Sequence, residues 1–327
     1  MRLRLALLAS LMPTLLWNPG AWAAGTTETA IRTQFKQIQA AMDKDDSAAA
    51  LRLAKACLET VRQSGMDDLM PQALLMRGEA LLGSAEDEEP RPYLLNAMGL
   101  ASAYHNPKVL ANALNDMGII CERDERPYAA QEYYREANAI ANTLKDPQLQ
   151  DAVTYDLATL ECERGDFDEG YQQLQAIFTR AQARNDQLSA VKTLVQIADT
   201  ELEMNLPEKA EASAQKALKL SKQLASPLSE QGALRVLAAL AVARGDMDTA
   251  ESDLRGAQTA AKASKDPFAQ ANADFDLGEF YAAHQRTAEA LPQLEASETK
   301  FRQMDKAAVA NQIQDAIVRL KSGKLSK

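Results

Sequence analysis

The side chains that could carry catalysis are few and scattered. Only two histidines occur, His105 and His284, far apart in sequence and each near the end of a helical segment. A general base needs a partner within hydrogen-bond reach, and transition metals favour His and Cys at fixed spacings. No HExxH, CxxC, GxSxG or glycine-rich phosphate loop is present. Paired carboxylates could in principle act as acid and base. However, Asp45-Asp46, Asp67-Asp68 and the run Glu86-Asp87-Glu88-Glu89 all fall at turns, where they supply helix N-terminal charge and solvated loops. Neither catalysis nor a cofactor or metal is expected.

Three cysteines remain, Cys57, Cys121 and Cys162, an odd number that leaves one unpaired in any case. Cys121 and Cys162 fall near the ends of corresponding helices, where a bridge needs Cα atoms within about 7 Å and converging Cβ vectors. We read all three as small apolar core residues, with that bridge as the alternative.

The N-terminus carries Arg2 and Arg4, an apolar stretch from Leu5 to Leu16, then Pro19-Gly20 and Ala21-Trp22-Ala23. These are the three regions of a secretory signal, with cleavage expected after Ala23 and the bacterial periplasm as the destination. A membrane anchor is the competing reading, but the stretch is shorter than the roughly 20 residues that span a bilayer. Removing residues 1–23 leaves 34 basic against 46 acidic side chains, a net charge near −12. Nucleic acid and anionic lipid both reward clustered Lys and Arg, so neither is the expected partner, and no membrane insertion of the mature chain is expected.

Aromatic residues make up 5% of the chain and Gly and Pro are sparse, a composition that favours helices over strands. In rows of 40, turn signals align at Met66-Asp67, Asn106-Pro107, Asp146-Pro147, Asn185-Asp186, Ser226-Pro227 and Asp266-Pro267. Halfway between fall Asp124-Glu125-Arg126-Pro127, Gly165-Asp166, Asn205-Leu206-Pro207, Gly245-Asp246 and Gln285-Arg286. Each unit is therefore helix, tight turn, helix. Small residues recur in the first helix at Gly78, Gly118, Ala158, Ala198, Ala238 and Gly278, without exception. A second column is Ala130, Gly170, Ala210, Ala250 and Ala290, broken by Pro90; a third is Ala97, Ala137, Ala217, Ala257 and Ser297, with Ile177 and Cys57 as departures. Two helices approach to the short end of the 8–10 Å range only where side chains are nearly absent, so the columns mark hairpin contacts.

Large apolar then small, as in Asp156-Leu157-Ala158, the turn Gly165-Asp166-Phe167, and the prolines Pro107, Pro147, Pro227 and Pro267 together resemble tetratricopeptide repeats. The period departs from the common form, 40 residues rather than about 34. In this it is similar to kinesin light chains, bacterial peptide-receptor regulators and exported sensory regions of bacterial proteins. The resemblance implies an all-α, right-handed α-solenoid of about seven helix-turn-helix units over residues 24–305, with first helices forming the inner wall. Lys306 to Leu320, with Ile313, Ile317 and Leu320 on one face, reads as a capping helix, followed by a short basic tail to residue 327.

The resemblance puts binding in the concave groove. The residues there are those six, three and two positions before each small one: Asn112, Asn115, Asp116, Tyr155, Asp156, Lys192, Gln196, Arg235, Asn272, Phe275 and Asp276. Related peptide-binding arrays place an asparagine ladder here, because an amide both donates to and accepts from a peptide backbone. Asp at 116, 156 and 276 accepts only, which suits an extended segment with basic and apolar side chains beside Tyr155 and Phe275. The plain alternative is that these acids pair with Arg or Lys of neighbouring units. A carboxylate clamp for an acidic tail needs converging cations, and the isolated Lys192 and Arg235 do not build one. The expected function is non-catalytic binding of a protein or peptide. The alternative is a sensory module that takes a peptide or small ligand and signals through a separate membrane partner.

Overall fold

Every twentieth residue from His105 to Gln285 has a left-handed backbone. The φ values are positive at His105, Glu125, Lys145, Gly165, Asn185, Asn205, Ala225, Gly245, Lys265 and Gln285. Each ends one helix, and the next residues start another. The new helix is opened by an Asx cap, as at Asn106, Asp146, Asp186, Asp246 and Asp266, or by proline in the first turn, as at Pro127 and Pro207. The side-chain oxygen of Asp146 accepts from the amides of Gln148 and Leu149, both at 3.2 Å.

The computed structural model describes residues 19–322 apart from 45, 85–87 and 305, with side chains from residue 27. The expected signal peptide falls mostly on residues 1–18, and the basic tail on 323–327, outside the described residues. Seven helix pairs follow in order: α1 (Pro19–Met42) with α2 (Ser47–Ser64), α3 (Met70–Leu82) with α4 (Arg91–Ala103), and α5 (Pro107–Arg123) with α6 (Pro127–Leu144). Then come α7 (Pro147–Glu163) with α8 (Phe167–Ala183), α9 (Gln187–Glu203) with α10 (Pro207–Leu224), α11 (Pro227–Arg244) with α12 (Met247–Ser264), and α13 (Pro267–Ala283) with α14 (Thr287–Gln303). A last helix, α15 (Ala307–Lys321), covers the end. Among the described residues there is no strand.

Packing follows the small columns. Gly118 lies against the ring of Tyr134, Gly78 against Leu94 and Gly278 against Leu294, while a side chain at Gly170 would meet the carbonyl of Ala158 and the Cys162 sulfur. The columns at Ala130, Ala210, Ala250 and Ala290, and at Ala97, Ala137, Ala217 and Ala257, are all buried. All three cysteines are buried and unpaired, filling core space as expected. Burial pushes the Cys57 thiol up to about 11. The second unit departs from the later ones, with α3 and α4 of 13 residues each where α5 to α14 have 17 or 18. There Arg77, the exception in its column, is buried; it donates to the Leu51 carbonyl at 3.2 Å and pairs with Glu88. Ile313 and Ile317 of α15 join Leu294 and Phe301 in one cluster, with Leu320 packed against it, as a capping helix requires.

First helices touch first helices, α1 with α3 and on through α5, α7, α9 and α11, whereas second helices touch only their sequence neighbours among the principal contacts. The first-helix face is therefore the inner, concave one. The array also winds far enough for distant units to meet. Arg123 of α5 lies 5.4 Å over the ring of Phe268 in α13, and the Lys265 Nζ is 3.7 Å from an Asp46 oxygen. A cavity of about 240 Å³ at this junction is lined by Leu82, Arg91, Arg123, Phe268 and Met304.

Candidate binding groove

The inner wall is built from one face of each first helix, and the heptad-like spacing that buries its partner stripe leaves positions two, three and six before the small column facing inward. Asn115 and Asp116 are more than nine-tenths buried there. Asn115 donates through its amide nitrogen to Asp156 at 2.6 Å, across one repeat. Tyr155, half-buried, carries the Lys192 ammonium 4.2 Å above its ring, a cation–π contact between α7 and α9. Arg235 of α11 reaches back to Asp199 at 3.0 Å. Asn112, Gln196, Asn272 and Asp276 lie half-buried on the same face. Phe275 leans away from its neighbours there and packs against the cluster beneath α15.

Five further carboxylates share this wall and escaped the sequence reading. Glu79 and Asp199 stand one residue after the small column, a single helical turn beyond the position three before it; that i, i+4 relation was the available signal. Glu122, Glu163 and Glu203, in the last turn of α5, α7 and α9, are a second ladder at intervals of about 40. The wall thus holds two groups of acids. Asp116, Glu122 and Asp266 act on one guanidinium, Arg123, with Glu79 and Asp156 beside Asp116; Glu163, Asp199, Glu203 and Asp276 surround another, Arg235.

Such crowding out of water favours neutral carboxyls. Burial raises Glu79 to about 7, and does the same to Glu122, where the Tyr134 hydroxyl donating at 2.7 Å works in the other direction. Asp116 is pushed well above the usual carboxylate range, first by burial, then by the charges of Glu79 and Asp156. Glu163, Glu203 and Asp276 are raised by burial as well, with Arg235 opposing. Several acceptors here have no donor: Asn115 Oδ1, Asp116 Oδ2 and Glu79 Oε2.

A second cavity opens on the wall beside the aromatic–cation pair, about 340 Å³, lined by Tyr155, Leu188, Lys192, Val195 and Leu228 with Met42 from the first unit. Asp43, Ser189, Ser226 and Ser229 add polar groups to its lining. The histidines lie elsewhere. His105 is exposed in a turn, and His284 caps α13 with its Nδ1 2.6 Å from the Phe280 carbonyl, half-buried rather than on the open surface. Among the described residues, no group of three or more His, Cys, Asp and Glu is arranged to hold a metal ion, and no helix is long and apolar enough to cross a membrane.

Stacked helix pairs with first helices inside and a terminal capping helix define an α-solenoid of the tetratricopeptide type. Solved structures agree on the fold. NprR in complex with its cognate peptide NprX is 10% identical, matching 91% of this chain and 89% of that one at a TM-score of 0.63. A Rap protein complexed with Competence and Sporulation Factor is 10% identical over 92% and 99%, with a TM-score of 0.59. A signal-transduction ATPase with a tetratricopeptide repeat sensor from Pyrococcus horikoshii is 14% identical over 83% of this chain at 0.55, and the chain spans 42% of its length. No protein-family model matches the chain, and no curated protein matches it.

Proposed function

We propose that the chain is exported to the bacterial periplasm and there binds an extended protein or peptide segment in its concave groove, without chemistry. The observation that carries this is the cavity of about 340 Å³ on the first-helix wall, where Tyr155 and Lys192 stand among the apolar side chains of Met42, Leu188, Val195 and Leu228 and the hydroxyls of Ser189, Ser226 and Ser229. A chain segment would fill it with apolar side chains and offer amides to the wall. Export rests on the basic, apolar and small-residue regions of residues 1–23. A net negative charge makes a nucleic acid a poor partner. In the test, the mature protein is used as bait in periplasmic extract. Replacing Tyr155 and Asp156 together should abolish capture while the far-UV circular dichroism and the cooperativity of melting stay unchanged. Capture at the original level would remove this face from consideration.

A regulatory form of the same reading draws support from NprR, solved with its cognate peptide NprX, and from a Rap protein, solved with Competence and Sporulation Factor. In it, the ligand tightens the superhelix and a separate membrane partner responds. Small-angle scattering with and without the captured ligand separates the two, because a scaffold keeps its radius of gyration and a sensor contracts.

A further inference from the structure

Asn115 has its amide nitrogen committed to Asp156, which fixes the orientation of the carboxamide and turns Oδ1 into an acceptor. That oxygen has no donor, and neither has Asp116 Oδ2 one residue on, although both side chains are more than nine-tenths buried. Glu79 Oε2, from the preceding first helix, is in the same condition. A buried acceptor without a donor costs about 1–3 kcal/mol, so three together on one wall form a standing demand for donors. The resident cation does not meet it. One Arg123 Nη donates to the Leu82 carbonyl at 2.7 Å, and the guanidinium is spread over the Phe268 ring.

We propose that Asn115, Asp116 and Glu79 form a subsite for one cationic side chain, a guanidinium or ammonium, of the segment bound in the groove. The inference rests on the groove reading above. A cavity of about 170 Å³ opens on Glu79 between Met42, Ala50, Ala80 and Leu228, with Ser47 and Asp266 at its edge, so an alkyl stem on its apolar walls would present a charged head to Glu79, whose charge acts in turn on Asp116. The cation supplies several donors at once to acceptors that have none, and its charge is favoured beside Glu79, Asp116 and Asp156. Neighbouring Asp156 accepts from the Asn115 amide nitrogen and so fixes the carboxamide that would receive the donor.

The test uses acetylated, amidated hexapeptide pools, uncharged except for a single arginine at a scanned position, and matched pools with citrulline, its neutral near-isostere. Binding to the whole protein is read by fluorescence polarisation. Arginine pools should bind about tenfold more tightly than citrulline pools, and Asp116→Asn should reduce the difference to about twofold or less. The Asn variant keeps the size and shape of the buried side chain while removing its ability to ionise, and should keep the helical signal. Equal binding of the two kinds of pool overturns this inference alone, leaving the groove reading intact. So does an arginine preference that survives Asp116→Asn but disappears in Asp276→Asn, which would move the site to the other acidic group. Absence of binding by every pool overturns both readings.

Discussion

Gly118 offers a direct test of the hairpin contact. In the middle of α5, glycine costs about 0.8–1.0 kcal/mol relative to alanine, so propensity alone would have Gly118→Ala stabilise the chain. The structure opposes it. A methyl at that position would overlap Cδ1, Cε1 and Cζ of Tyr134, a ring that is fully buried between α5 and its neighbours. Overpacking of this kind costs about 1–3 kcal/mol, which leaves a net loss of roughly 0–2 kcal/mol once the helix gain is subtracted. Tyr134→Leu removes the ring and also the hydroxyl that donates to Glu122 at 2.7 Å, so that variant is destabilised on its own account. The double variant recreates the pairs found elsewhere in the array, where Ala158 shares a cluster with Leu174 and Ala238 with Leu254.

The quantity of interest is therefore the coupling, not either single effect. Urea unfolding of the four proteins, followed by far-UV circular dichroism with equal m values as the control, should give the double variant about 1–3 kcal/mol more stability than the two single changes predict. The lost Tyr134 to Glu122 bond is common to both arms and cancels. Additivity to within about 0.5 kcal/mol would mean that Gly118 and Tyr134 do not press on each other, and the assigned register of α5 on α6 would be wrong.

Two more outcomes are expected. Glu79 and Glu122, raised to about 7 by burial, bind protons in the folded chain that they release near pH 4.3 when unfolded, so stability should fall as pH rises from about 4.3 to 7. Glu251, held down to about 2 by Arg286 and further by Tyr281 and Arg255, has the opposite sign, contributing fully above about pH 4.3 and losing its effect as pH falls toward 2. Urea midpoints across this range should peak between the two limbs, and Glu79→Gln with Glu122→Gln should flatten the upper one; an unaltered slope there refutes the assignment. Ala225 has φ 49° and ψ 47°, a left-handed conformation that costs a residue with Cβ about 1–2 kcal/mol. Ala225→Gly should accordingly raise the urea midpoint, and Gly245→Ala, at φ 77°, should lower it.

Most of the fold was legible because most of its contacts are local. A solenoid packs each helix on its sequence neighbours, so a constraint such as the close approach of α9 and α10 at Ala198 and Ala210 recurs at the same phase in every unit. Turns were legible for the same reason, at Asp146-Pro147 through an Asx cap and a fixed proline φ. The left-handed residue that ends each helix was announced by its type where it is glycine or asparagine, at Gly165, Asn185, Asn205 and Gly245; Lys145, Ala225 and Lys265 hold the same conformation without a residue type that announces it. The groove was legible as a face but not as a set of partnerships. Asp156 was expected to meet a bound segment or an Arg or Lys of a neighbouring unit, and the structure shows it engaged by the amide of Asn115, 41 residues earlier, while Phe275 is taken up by packing under α15.

What no local pattern encodes is the winding of the array. A small rotation at each unit accumulates until Arg123 meets Phe268 and Lys265 meets Asp46, contacts across more than a hundred residues. That closeness has an electrostatic consequence. In an open superhelix, the carboxylates of the inner wall would face water and ionise freely. Here the walls approach, burial raises Glu79 and Asp116, and the charges of Glu79 and Asp156 add to the shift of Asp116. On the subsite proposed above, a neutral group gains little from such a wall, whereas a cation supplies donors to its unpartnered acceptors. Opening the winding, for example by Lys265→Glu against Asp46, should bring Glu79 and Asp116 back toward ordinary carboxylate values and reduce the preference of arginine over citrulline pools. An undiminished preference in that variant, with the contact shown to be lost, would mean that the acids alone, and not the closure of the superhelix, set the chemistry of the groove.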